Sequence, residues 1–99
     1  MDGDIVSADA SRSDRIEAKL RAALEAESVE VVDESHLHAG HAGARSGKGH
    51  FRVRVVSERF AGLSRIQSQR LVFAALAEEM ESDIHALAMQ TLTPDEVAS

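Results

Sequence analysis

The chain has 99 residues, 43% of them hydrophobic, and a formal net charge of −6. That is one globular domain at most, and not the composition of a disordered chain. It contains no cysteine, which excludes disulfides, thiolate nucleophiles and cysteine-only metal sites.

The net charge is unevenly distributed. Asp2, Asp4, Asp9, Asp95 and Glu96 lie near the ends, leaving 12 acids against 11 bases in the body. Within residues 45–70 the bases Arg45, Lys48, Arg52, Arg54, Arg59, Arg65 and Arg70 face Glu58 alone. Such a segment either meets an anionic partner or balances the acidic segments around it. The opening M-D-G-D-I-V-S-A-D-A has no basic region before an apolar run, and no stretch approaches the roughly 20 apolar residues of a membrane span. A cytoplasmic protein that makes no membrane contact is expected.

Residues 1–12 are small, polar and acidic and are expected to be a disordered tail. A helix is predicted over 13–26, capped by Asp14 with Glu17 in the capping-box position. Ile16, Leu20, Ala23 and Leu24 form its apolar stripe. V-E-V-V-D-E-S (29–35) reads as a short strand, and F-R-V-R-V-V-S (51–57) as a half-buried one, with Phe51, Val53 and Val55 inward and Arg52 and Arg54 outward. The connection between them far exceeds the two to five residues usual in hairpins.

Gly62 marks a turn, and Ser64 with Gln67 forms a second capping box. A helix over 64–81 follows, its centre L-V-F-A-A-L-A apolar on most faces and expected to be deeply buried. I-H-A-L-A-M-Q-T-L-T (84–93) reads as the last strand and P-D-E-V-A-S as a frayed end. The order α-β-β-α-β implies an α+β fold: a three-stranded mixed sheet, its first two strands antiparallel and its third parallel after a helical crossover, with helices packed on one face. The domain is expected over 13–94, with a tail over 95–99.

The long connection, E-S-H-L-H-A-G-H-A-G-A-R-S-G-K-G-H-F, holds His36, His38, His41 and His50, four of the five histidines, and four of the six glycines. Imidazole is a common neutral metal ligand, and glycines let several converge. The spacing H-x-H-x-x-H is weakly specific, and from spacing alone a solvated loop is the favoured account. A closed zinc site needs four ligands, and no second cluster exists. His85, near the start of an apolar strand, is either a core histidine bonded to backbone or a functional group. Glu78, Glu79, Glu81 and Asp83 read as a solvated helix face. No catalytic spacing or phosphate-cradling loop is present, so a non-enzymatic protein is expected. The G-x-x-G at 40–43 lies in the hairpin connection, whereas a KH domain carries this motif between two helices. There this chain reads Gly62-Leu63-Ser64-Arg65.

R-F-x-G-x-S-x(5)-R-L-V (59–72) and H-A-L-x-x-x-T-x-T-P (85–94), with V-E-V-V-D-E-S-H-L-H and G-H-F-R-V-R-V-V-S, resemble the BolA family over roughly residues 13–94. The resemblance implies a KH-like fold and an adaptor that shares a [2Fe-2S] cluster with a monothiol glutaredoxin, whose cysteine and glutathione supply the thiolates. It implies His85 as one ligand and a histidine of the variable loop as the second. His50 is the first choice, His38 and His41 come next, and His36 is least favoured. Histidines replacing cysteines on one iron are known from Rieske centres, and a chain without thiols needs a thiol-bearing partner. DNA binding through segment 58–76, with Arg59, Arg65 and Arg70, is the alternative. Ser68 stands where family members often carry a basic residue or histidine, which weakens that alternative. A plain interaction or zinc-binding module is a third reading. The free protein is expected to be a monomer.

Overall fold

The computed structural model describes residues 8–35 and 48–98. Its elements are α1 (Ala8–Leu24), β1 (Ser28–Asp33), β2 (Gly49–Val56), a 3-10 turn (Glu58–Phe60), α2 (Arg65–Ala75), α3 (Ala77–Ser82), β3 (Ile84–Leu92) and α4 (Pro94–Ala98). The sheet order is β1-β2-β3. β1 runs antiparallel to β2, and β3 runs parallel to it. The expected α+β fold, with helices on one face of a three-stranded mixed sheet, is the one observed.

The central strand behaves as its alternation requires. Phe51, Val53 and Val55 are buried and meet Ile16, Leu20 and Leu24 of α1, Val72 of α2, Leu76 and Ile84 in one core. Each such side chain removed from water stabilises the fold by about 1.5–3 kcal/mol. Ile16, Leu20 and Leu24 stand four residues apart, so one stripe of α1 makes the contact. Ala23, expected on that stripe, is exposed.

α1 starts at Ala8, earlier than the capping signal at Asp14 suggested, and Asp14 lies exposed within the helix. Tertiary contact explains the extra turn. Arg12, on the same stripe as Ile16, lies 5.6 Å from the Phe51 ring centre, a cation–π distance, and donates to the Asp83 carbonyl at 3.4 Å. At the other end Glu25 adopts φ 48°, the left-handed turn that ends a helix. Buried Ser57 donates to the Leu24 carbonyl at 2.6 Å and accepts from the Arg59 amide at 3.0 Å, tying the end of α1 to the end of β2.

The hairpin is offset from expectation. β1 stops at Asp33, whose carboxylate accepts the Ser35 amide at 2.8 Å and turns the chain out of the ladder. β2 starts two residues early, at Gly49, because the His50 amide donates to Ser35 Oγ at 3.1 Å and its carbonyl accepts from Glu34 at 2.7 Å. Gly49 is required by close approach: a Cβ there would stand 2.4 Å from Ser35 Oγ and 2.8 Å from the Phe51 ring.

Gly62 forms its turn with φ 79°, and Ser64 and Gln67 make the reciprocal capping box. The helix expected over 64–81 breaks at Leu76, which leaves helical geometry at φ −108° and ψ 23°. The apolar run is not buried all round. Val72 and Leu76 are fully buried, whereas Phe73 is 40% and Ile66 59% exposed. One sheet and one neighbouring helix can cover only one side of α2. The break re-aims α3, so that Glu79 is 4% exposed and ion-paired to Lys19 (2.9 Å) and Arg15 (3.7 Å). Asp83 also pairs with Arg15, and Glu78 with Lys19. Glu79 and Asp83 are therefore a clasp onto α1, whereas Glu78, though paired, is 84% exposed and Glu81 is exposed, as expected of a solvated face. Residues 94–98 form α4, capped by Thr93: Glu96 Oε1 accepts the Thr93 amide at 2.8 Å, and the Glu96 amide donates to Thr93 Oγ1 at 3.2 Å.

Two measurements test these contacts. Gly49→Ala should lower stability by about 1–3 kcal/mol in urea denaturation, and adding Ser35→Ala should restore only part, because the Phe51 ring remains in the way. The Lys19–Glu78 pair sets a pH window. Hydrogen bonding to Lys19 holds the Glu78 carboxyl below its ordinary value of 4.5, and hydrogen bonds to Glu78 and then Glu79 hold the Lys19 amine above 10.5. Glu78 therefore contributes stability above pH 4.5 that is lost as pH falls through its lower folded value. Lys19 contributes below pH 10.5, and that is lost as pH rises through its higher folded value. The thermal midpoint of the native chain should exceed that of Glu78→Gln at pH 7 in low salt, and the gap should narrow as pH falls below 4.5.

Candidate functional site

Parallel pairing of β2 with β3 brings two histidines together from opposite halves of the chain. Gly49 pairs with Ile84 but His50 with Ala86, so β3 carries one extra residue, His85. Bulges of this kind re-aim the side chain they carry. The His50 and His85 ring centres lie 5.1 Å apart, with the ring planes at 49°. His50 is half-buried and His85 exposed. An exposed His85 does not fit the reading as a core histidine.

Both backbones are held in place. His50 is fixed through its amide and carbonyl by Ser35 and Glu34. His85 follows Ile84, which is buried, and Asp83, whose carbonyl accepts from Gly49 at 2.8 Å and whose amide donates to Glu79 at 2.7 Å. The pairing of Arg15 with Glu79 and Asp83 fixes α3 and the start of β3 against α1. Sequence reasoning named the two histidines but missed these supports. The signal available was Arg15 and Lys19, one helical turn apart, opposite the acidic run E-E-M-E-S-D.

His36, His38 and His41 lie outside the described residues, as does Arg45. Among the described residues no group of three or more His, Asp or Glu side chains is placed to hold a metal ion. Two imidazoles and no thiol anywhere in the chain make an incomplete ligand set.

The basic segment is partly neutralised internally. Arg52 pairs with Glu34 at 3.0 Å and Arg59 with Glu25 at 3.0 Å, and Arg54 stands opposite Glu30 in the β1–β2 register. Arg65 and Arg70 are exposed on α2. Among the described residues no helix is long and apolar enough to cross a membrane.

Comparison with known proteins agrees with this architecture. The chain is 51% identical over 80 residues to human BolA-like protein 1, covering 80% of this chain and 58% of that protein. It is 46% identical over 80 residues to the Escherichia coli DNA-binding transcriptional regulator BolA, covering 81% of this chain and 73% of that one. The Arabidopsis thaliana SufE-like protein 1 is 41% identical over 100 residues, which span 96% of this chain but only 27% of that longer protein. The solved structure of its BolA domain superposes with a TM-score of 0.77, at 41% identity over 87% of this chain and 95% of the domain. Residues 20–96 match the family described as BolA-like protein, and they include every strand of the sheet and the His50–His85 pair: the chain belongs to the BolA-like family.

Proposed function

We propose that this chain is a non-enzymatic adaptor in iron–sulfur cluster trafficking or iron sensing. It shares a [2Fe-2S] cluster with a monothiol glutaredoxin through His85 and His50. The 5.1 Å separation of the two rings carries the proposal. Two imidazoles on one metal, each nitrogen about 2 Å from it, place their ring centres roughly 5 Å apart. The cysteine-free sequence supports it as well, since the remaining ligands must then be thiolates from the glutaredoxin cysteine and glutathione.

When bound, the cluster supplies iron and sulfide that can be exchanged between proteins. The chain's own residues hold and orient. His50, fixed through its backbone to the β1–β2 hairpin, is the rigid member of the pair. His85, exposed on the bulge, is the member a partner meets first. His38 and His41 follow His50 in order of preference for the second ligand. A cytoplasmic location belongs to the same proposal. Relatives include chloroplastic and chloroplastic/mitochondrial proteins, and cell fractionation would decide the compartment.

Mixing the chain with a monothiol glutaredoxin, glutathione, iron and sulfide tests the ligands by visible absorption and circular dichroism. The heterocomplex spectrum should be lost with His85→Ala and lost or shifted with His50→Ala, and should survive His38→Ala and His41→Ala. An unchanged spectrum with His85→Ala would refute the assignment.

A second reading, a DNA-binding regulator, is favoured by the exposed Arg65 and Arg70 on α2 and by the name of the Escherichia coli relative. Phosphate contacts make affinity fall steeply with salt. Anisotropy of a labelled duplex should then show binding that weakens between 50 and 200 mM salt, and weakens further with Arg65→Ala and Arg70→Ala. Binding indifferent to salt or to both substitutions removes this reading.

A further inference from the structure

Among the described residues β3 is an edge strand, paired with β2 on one side only. Edge strands are usually blunted by charges, proline or shortness, because their open backbone accepts another strand. β3 lacks these guards. Over Ile84–Leu92 it is nine residues long, with no Lys, Arg, Asp, Glu or Pro. The other edge, β1, is six residues long and carries Glu30 and Asp33.

A groove of about 750 Å³ runs beside the second half of this edge. Its β3 side is Met89–Thr93 and its α2 side is Arg65, Ser68 and Gln69, with Leu63 beyond the Gly62 turn. Met89 and Thr91 pair with Val53 and Val55, so their side chains share the helix-covered face of the sheet. They are nevertheless only partly buried, and Leu63 is 38% exposed. The backbone direction follows from one bond. The Leu92 carbonyl accepts from Ser57, just past β2, at 2.9 Å. Alternation along the strand then turns the N–H and C=O groups of Thr91 and Met89 toward the open edge.

We propose that this edge binds an extended peptide segment of a partner protein, which adds to the sheet as a fourth strand beside Met89–Thr93. Alternate side chains of an added strand project onto the helix side of the sheet, into the groove, where Leu63 and Met89 offer apolar contact and Gln69 polar contact. Charge argues against single-stranded nucleic acid in the same place. The lining carries one base, Arg65, against two acids, Asp95 and Glu96, and its aromatic residue, Phe60, is only 4% exposed and cannot stack on a base. The fitting peptide is uncharged or weakly basic, with apolar residues at alternate positions. Thr91 lies six residues along β3 from His85, about 20 Å at strand rise, so the peptide leaves the histidine pair uncovered.

Selection of a phage-displayed library of random octapeptides on the full chain tests this, followed by titration of an enriched synthetic peptide into 15N-labelled protein. Alternating apolar sequences should be enriched, and amide shifts should concentrate in 89–93 and 62–69. Affinity should fall at least tenfold with Thr91→Pro, which removes an outward N–H on an edge where proline is tolerated. It should fall similarly with Leu63→Asp, an exposed substitution outside the strand that keeps the test valid if the proline variant does not fold. It should be unchanged with His85→Ala, which separates this site from the cluster proposal. The proposal is overturned if no peptide is enriched, if shifts fall elsewhere, or if oligo-dT displaces the peptide from these residues. It is equally overturned if sedimentation shows the edge closed by a second copy of the chain.

Discussion

Parallel pairing of β2 with β3 is the contact on which the molecule depends. Parallel neighbours cannot be joined by a tight turn, so the chain must leave the sheet at Val56 and return at Ile84. The crossover carries α2 and α3, and these helices place Val72 and Leu76 over Phe51, Val53 and Val55. With α1 they cover one face of the three-stranded sheet, while among the described residues Arg52, Ala86, Ala88 and Gln90 on the other face are exposed. Core, open face and free edge are consequences of one pairing.

The same pairing builds the histidine site, and its register matters more than its existence. In unbroken register His50 would stand opposite His85; the observed shift pairs His50 with Ala86 and leaves His85 as the added residue. One ring therefore sits half-sheltered against the hairpin and the other faces outward. Precision comes from fixed backbone: Gly49, Ser35 and Glu34 hold one strand, and Asp83, Arg15 and Glu79 hold the other. A rigid frame lowers the ordering cost of whatever the two imidazoles bind.

Much of this was legible in the sequence, for physical reasons that also mark where legibility ends. Alternation in F-R-V-R-V-V and the Ser64–Gln67 capping box are local signals, and both elements form where they point. The start of α1 was misplaced because Arg12 is drawn into the helix by Phe51 and Asp83, which are remote in sequence. The break at Leu76 has no proline or glycine to announce it and reflects packing of α3 against α1. Thr93-Pro94-Asp95-Glu96 does carry a local signal, a capping box with proline at the first helical position, and it forms a helix where fraying was expected. His85 was readable as a candidate, but its bulge depends on strand register and is invisible to spacing.

The closed base of the β1–β2 hairpin has an evolutionary consequence. The bonds of His50 to Glu34 and Ser35 fasten the two strands together directly beneath the connection. Lengthening or shortening that connection then changes mainly the entropy of closing it, about 0.6 kcal/mol for each doubling. Descendants of this chain can rewrite the sequence between Ser35 and Lys48 without renegotiating the sheet. The hairpin base works as a mount with an interchangeable tip, and selection can act on the tip alone.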